Sequence, residues 1–417
     1  MAGVRDDLVP QKFGPLSGVR IVSSGTGIAQ PFAAELAAEM GAEVIHIEAP
    51  KLGDPYRRSG LKVADAGAEQ APVSVSADWI QERRNMFCVT LDPAAPRGRE
   101  LFLRLLARAE IWMESSAPGD CEKSGLGDAE VLKASPRLVI THVSGFGRGG
   151  NPAPAGGSDD DSIAQAFGGL MGLLGPPDPE PPVRAMPYIG DYLTALCALW
   201  SSLAALIHAR ATGQGQSVDV AKYEVVHKHL GPTMIEFFTR GALTERSGNK
   251  SPGVQPMDTF RARDEWVMIT ALREQYGRLC KLLGLDPREQ KWQHAAWHVN
   301  SPEGLEFDAI FRGWVANRSA AEVLRELGEI GVPCSRIMTS DECAQHPHFQ
   351  ARAMHIEWED GQVGKVKGIG MVPKLSATPG QVWRGAVALG HDNRLIYGEV
   401  LGIDESALDD LRRDGVI

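Results

Sequence analysis

A chain of 417 residues is longer than one hydrophobic core usually sustains, so two structural domains are expected. Hydrophobic residues make up 43% and charged residues 23%, which excludes a disordered or coiled-coil chain. A formal charge of -10 argues against overall attraction to nucleic acid or to an anionic membrane, so a phosphate-bearing ligand would need a local basic pocket.

Residues 1–12 carry Arg5, Asp6 and Asp7 and no apolar stretch, so no signal peptide is expected. An apolar run at 19–22, a small-residue turn at 23–27, a helical stretch at 31–40 and a second run at 44–48 read as a β-α-β unit. Pro31 suits a first helical turn and Gly41 a left-handed exit. Strands at 87–91, 111–114 and 138–143 alternate with helical segments such as 98–108, which predicts a doubly wound, Rossmann-like α/β sheet. The Pro/Gly-rich stretches 147–157 and 175–182 bracket a helical segment at 162–174 and are expected to be loops at a working surface. The long apolar run 192–208 is short for a bilayer and is broken by Thr194, Ser201 and Ser202, so it is predicted as a buried core helix.

After Asp219 the pattern changes to a helix rich in His and Met, turns at 247–256, and strands around Phe260 and at 266–269, where a second domain is expected. Ser319 and Glu322 form a capping box for a helix ending near Gly328, and 331–337 returns to a strand. Cys88, Cys121, Cys197, Cys280, Cys334 and Cys343 are scattered without a metal-ligand spacing, which predicts reduced thiols and a cytoplasmic setting.

Three groups of residues invite chemistry. Gly25-Thr26-Gly27, with Glu48 closing the next strand, superficially resembles a dinucleotide fingerprint, but Gln30 stands where its third glycine belongs, so a turn admitting another ligand is the better reading. Asp191 is placed at the N-cap of the apolar helix, where unpaired N–H groups stabilise an anion by about 0.3–1 kcal/mol when exposed and up to about 2 when partly buried. Such a carboxylate is either a helix cap or a nucleophile, and the residues alone leave both open. Asp159, Asp160 and Asp161 point in different directions and suit a loop entering a helix N-terminus better than a metal site.

The segment Gly14-Pro15-Leu16-Ser17-Gly18-Val19-Arg20-Ile21-Val22, then Pro31-Phe32-Ala33-Ala34 and Gly41-Ala42-Glu43-Val44-Ile45-His46-Ile47-Glu48, closely resembles the opening of class III CoA-transferases. Ser144-Gly145-Phe146-Gly147, Ile163-Ala164-Gln165-Ala166, Thr212-Gly213-Gln214-Gly215-Gln216-Ser217-Val218-Asp219-Val220 and Leu389-Gly390-His391 are similar to later motifs of that family, in the same order. Asp191, within Tyr188-Ile189-Gly190-Asp191-Tyr192, matches the family's catalytic aspartate. The resemblance therefore implies attack of Asp191 on a donor thioester, a mixed anhydride, an aspartyl-CoA thioester and finally the acyl-CoA of an acceptor acid. CoA thioesters enter as substrates, and no metal or redox cofactor is implied.

The same resemblance assigns substrate or CoA binding to Ile28, Ala29, Gln30, Arg83, Arg84, Lys123, Asp161 and Tyr188, with Arg83, Arg84 and Lys123 as the cations for CoA phosphates. Ser115, Ser116 and Ala49 depart from the family pattern near the nucleotide. An α-methylacyl-CoA racemase of the same fold is the alternative; its histidine would fall at Asp160, and Gln165 follows the transferase pattern instead. A non-catalytic CoA-binding protein of this fold is a second alternative, against which Asp191 is present.

Lys12-Phe13-Gly14-Pro15-Leu16, Pro187-Tyr188 and Lys222-Tyr223-Glu224-Val225 look most like the carnitine CoA-transferase branch, from which Gln30 and Met186 depart. That likeness implies a betaine acceptor such as carnitine, with an uncharged acid as the other option, and Tyr188, Tyr192, Phe146 and Trp200 are expected near the site. It also implies a Rossmann-like large domain built from both chain ends, residues 1–224 and 336–417, a smaller inserted α+β domain at 225–335, and a homodimer of interlocked rings. Neither a nucleic acid nor a membrane partner is expected.

Overall fold

The computed structural model describes residues 7–63, 75–150, 158–272 and 274–417. The first half of the N-terminal segment and most of the 147–157 loop lie outside the described residues. The chain divides into two compact units, one of residues 1–169, 186–231 and 350–417, the other of 170–185 and 232–349. The breaks fall at 231/232 and 349/350, against 224/225 and 335/336 from the sequence, and the second unit also takes the short stretch 170–185.

The first unit is built on a parallel sheet of six strands: β1 (Arg20–Ser24), β2 (Glu43–Glu48), β3 (Phe87–Thr90), β4 (Ile111–Glu114), β5 (Val139–Ser144) and β6 (Gln216–Ala221), in the order β3-β2-β1-β4-β5-β6. This is the doubly wound order, with its topological switch between β1 and β4. Strand side chains alternate between faces, so neighbours in sequence feed different cores. Val22, Ile45, Val89, Trp112 and Ile140 join one cluster with Phe102 and Leu105 of the helix Pro96–Leu106. Ile21, Val44, Met113 and Val139 join the other, covered by helices α1 (Ala29–Glu39) and α3 (Ile189–Thr212), between which α2 (Asp161–Phe167) lies in sequence.

The C-terminal residues pack into the first of these cores. Ile396, Tyr397 and Val400 lie in that cluster, the Tyr397 hydroxyl donates to the Thr90 carbonyl at 2.9 Å, and the Asp392 carboxylate accepts from the Cys88 N–H at 2.8 Å. The last segment of the chain is thereby tied to the outer edge of β3.

Helix α3 departs from the expected buried core helix. Its small residues Ala195, Ala198, Ala205 and Ala209 are buried in the same cluster as the alanines of α1, while Leu196, Trp200 and Ile207 are 53%, 63% and 71% exposed. Apolarity all round the helix hid which face would be covered, because burial follows the 3.6-residue period rather than mean hydropathy. By length and composition α3 is also apolar enough to cross a membrane.

The second unit, taken by itself, has a three-stranded antiparallel sheet, with Trp266–Thr270 between Met257–Arg261 and Cys334–Arg336. Phe260, Val267, Phe307 and Phe311 centre its core. The capping box of Ser319 and Glu322 opens the helix Ala320–Glu329 there.

Candidate active site

Asp191 does not cap α3. The N-cap is Tyr188, and Asp191 is the third helical residue, its own N–H donating at 3.0 Å to Oδ1 of Asp161, whose Oδ2 accepts from Gln165 Nε2 at 2.7 Å. A carboxylate from α2 thus performs the capping that the sequence left open for Asp191. Gly190 makes this approach feasible, since a Cβ at that position would lie 2.8 Å from Asp161 Oδ1.

The Asp191 carboxylate is 5% exposed and faces a cation instead. Lys222, the first residue of helix α4 (Lys222–Lys228) and directly after β6, is equally buried, and its Nζ lies 2.7 Å from Asp191 Oδ1 and 3.0 Å from Asp159 Oδ1. The contact with Asp191 is close without full hydrogen-bond alignment, whereas Lys222 Nζ donates to the Asp159 backbone carbonyl. Asp160 caps α2, accepting from the Ser162 N–H at 2.8 Å. The three consecutive carboxylates therefore serve three different partners, as their sequence pattern suggests.

Burial pushes the Asp191 carboxyl up to about 6, with Asp161 and Asp159 adding to the effect and the Lys222 ammonium opposing it. Burial works against the charge on Lys222, but Asp191 and Asp159 outweigh it and hold its proton more tightly than an ordinary lysine does. The result is a buried carboxylate that is mostly ionised at neutral pH yet poorly solvated, a favourable state for a nucleophile. If Asp191 reacts as the anion, kcat/KM should fall about tenfold per unit as pH drops below about 6. A flat kcat/KM from pH 7 to 5 would contradict this.

A cavity of about 590 Å³ opens beyond the carboxyl ends of β4 and β5, lined by Ser115–Pro118, Ser144–Gly150, Ser158 and Asp159. Ligands of open α/β sheets bind at this end. Asp159 belongs both to the wall and to the Lys222 ion pair, so Asp191 is linked to the cavity wall through Lys222. The cation among the described wall residues is Arg148, paired with Glu114 at 3.2 Å and with Glu122. Another cavity, about 470 Å³, opens near Glu110 and Leu138 at the amino ends of the same two strands, away from Asp191.

The remaining sequence candidates fall in several places. The β1–α1 turn carries Ile28, Ala29 and Gln30, all buried; Gln30 Nε2 donates to Ser23 Oγ at 3.1 Å, and a Cβ on Gly25 would meet both Gln30 Oε1 and Ser115 Oγ. Arg83 is fully buried, donating to the Gly27 carbonyl and lying 3.4 Å from Asp54 Oδ2. Arg84 turns to Glu35 and Glu39 on α1. These two guanidinium groups are committed to internal partners rather than offered to a phosphate. Lys123 is exposed and paired with Asp120 at 2.8 Å. Tyr188 is half-buried beside the cluster containing Ile28, Tyr56 and Trp79.

Of the four expected aromatics, only Phe146 lines the cavity, with Phe167 and Tyr223 against it at ring distances of 5.2 and 5.8 Å. Tyr192 donates instead to Glu82 at 2.6 Å, and Trp200 is nine residues along α3 from Asp191, about 13 Å away on the helix axis.

Sequence reasoning missed Lys222 and Arg148. The spacing of Lys222 with Val225 and Val226 places it on the buried face of α4, which was a readable signal. Arg148 directly follows Ser144-Gly145-Phe146-Gly147 and carried no signal beyond that neighbourhood.

A sequence profile described as CoA-transferase family III matches residues 16–393. The chain is 33% identical over 425 residues to bile acid CoA-transferase BaiK of Clostridium scindens, spanning 100% of this chain and 92% of that protein. It is 33% identical over 406 residues to L-carnitine CoA-transferase of Proteus mirabilis, covering 95% of each. The crystal structure of a CAIB/BAIF family protein from Brucella suis superimposes with a TM-score of 0.80 at 26% identity, covering 93% of this chain and 100% of that one. With the parallel sheet and a match over nearly its whole length, this chain belongs to CoA-transferase family III.

Proposed function

We propose that this enzyme carries CoA from an acyl-CoA donor to a carboxylic acid acceptor, with Asp191 as the covalent relay. The observation that carries the reading is a buried, ionisable carboxylate relieved of helix capping by Asp161 and linked to the cavity wall through Lys222 and Asp159. An Asp191 oxygen attacks the thioester carbon, and the C–S electron pair leaves with CoA as thiolate. The thiolate attacks Cγ of the resulting mixed anhydride and releases the donor acid, leaving an aspartyl-CoA thioester. The acceptor carboxylate then attacks Cγ, CoA leaves, and the thiolate returns to the new acyl carbon and frees Asp191. One thioester replaces another, so no external energy source is needed.

On this reading Arg148 meets a CoA phosphate, because it lines the cavity, whereas Arg83 and Arg84 are buried outside its wall. A second copy of the chain would cover Leu196, Trp200 and Ile207 on α3, in keeping with an interlocked dimer. Free cysteines throughout the described residues fit a reducing cytoplasm.

We further propose a betaine-type acceptor, since Phe146 offers an aromatic face on the cavity wall and such faces attract quaternary ammonium groups by about 0.5–2 kcal/mol. With one acyl-CoA donor, carnitine should be converted about twofold to thirtyfold faster than an uncharged acid of similar size at equal low concentration. Mass spectrometry of the acyl-CoA products measures this directly. Equal turnover of the uncharged acid would remove the cationic pocket while leaving transfer itself intact.

A further inference from the structure

A buried lysine beside a nucleophilic carboxylate raises a chemical problem that the relay must solve. Acylated Asp191 has an activated Cγ, and a neutral amine at 2.7 Å from that carboxyl would attack it and form a stable amide. We propose that Lys222 is a positioning residue of the transfer reaction, its ammonium holding Asp191 in the resting site and passing wholly to Asp159 once Asp191 is acylated. This inference rests on Asp191 being the relay.

The geometry supplies both stations. Lys222 Nζ reaches the Asp191 carboxylate at 2.7 Å and the Asp159 carboxylate at 3.0 Å, and also donates to the Asp159 carbonyl. When Asp191 attacks the thioester, its O–C bond forms, the C–S bond breaks and the negative charge leaves with the CoA thiolate. Asp191 is then neutral, while Asp159 and its carbonyl still hold the ammonium. The proton stays on Nζ throughout, and no co-reactant is involved. Asp159 lies on the cavity wall, so the displaced cation moves toward the cavity.

Among the described residues, the charged groups around Asp191 are few. Asp161 faces it from α2, Asp159 from the preceding loop and Lys222 from α4. The side of α1 packed on α3 presents Ala33, Ala34, Ala37 and Ala38, and its Glu35 and Glu39 are paired with Arg84. Strand β5 contributes Val139 and Val143 to the same core. Lys222 is thus the cation opposing two nearby carboxylates.

The test compares wild type with Lys222→Met, Lys222→Gln and Lys222→Arg, all checked for native circular dichroism, by kcat/KM against pH. Loss of an opposite charge at this distance should move the acid limb of the Met and Gln variants up by about 1–3 pH units, with Arg close to wild type. A lysine that merely supports the fold would lower the plateau and leave the limb in place, so an unmoved limb in folded Lys222→Met and Lys222→Gln overturns the proposal. A second arm uses Asp159→Asn incubated with acyl-CoA at alkaline pH. It should lose activity with turnover and yield a Lys222–Asp191 cross-linked peptide, lighter by one water than the two peptides it joins. An Asp159→Asn enzyme that turns over indefinitely without the cross-link overturns the role given to Asp159. Parallel hydroxylamine trapping on wild type separates the two readings: label on Asp191 with an unmoved limb sinks the Lys222 role alone, and absence of label sinks both.

Discussion

Asp191→Asn is expected to lower CoA transfer by about 10⁴-fold or more, because the substitution keeps the side-chain volume and removes the anion that attacks the thioester. The fold should survive. Asp161 caps the first turn of α3 through the backbone N–H of residue 191, a bond that does not depend on the side chain there. Asp191→Ala should be as inactive, since neither residue can carry an acyl group. Steady-state transfer with product detection by mass spectrometry checks both variants, with deamidation of the Asn variant back to Asp monitored in the same spectra. Activity within tenfold of wild type in Asp191→Asn would contradict the relay.

The same variant should be more stable than wild type at neutral pH. Raising the Asp191 carboxyl from an ordinary 3.8 to about 6 means that its ionised form is disfavoured by folding. The sign follows from that direction: below the unfolded value the group is protonated in both states and the penalty is absent, and it grows as pH rises toward about 6 and is complete above. At pH 7 it amounts to about 2–3 kcal/mol, which the neutral Asn side chain avoids. Chemical denaturation should therefore show Asp191→Asn ahead at pH 7 and level with wild type near pH 4. Such a gain at the expense of function is the signature of a strained active site. An Asn variant that is less stable at pH 7 would mean that Lys222 stabilises the anion more than burial opposes it.

The sheet was legible because β1 to β5 are compact apolar runs bounded by turns, and their boundaries differ from expectation by a residue or two. Strand β6 was read only as a motif. Its Gln216, Ser217 and Asp219 are exposed at the sheet edge, so no apolar run announces it. The helix expected over 162–174 stops at Phe167, because Gly168 and Gly169 follow and Gly169 takes a left-handed φ of +92°.

At the site, the position of Asp191 near a helix start was readable, but its partners were not. The cap comes from Asp161, thirty residues earlier in the chain, and the cation from Lys222 at the end of another strand. Arg83 and Arg84 looked like ligand cations for the same reason in reverse. Their carboxylate partners Asp54, Glu35 and Glu39 are distant in sequence, and only the fold buries them together. Sequence spacing reveals which face of an element a residue occupies, whereas charge pairing between elements is a tertiary property.

The most direct measurement is chemical capture of the relay. Wild-type enzyme incubated with a competent acyl-CoA and hydroxylamine, then digested and analysed by mass spectrometry, should lose activity in step with conversion of the Asp191 side chain to a hydroxamate, and the Asp191→Asn variant should stay unlabelled. Rapid transfer by an enzyme whose Asp191 peptide remains unmodified under these conditions would contradict the account and make Asp191 a buried ion-pair partner of Lys222 with no covalent part in the reaction.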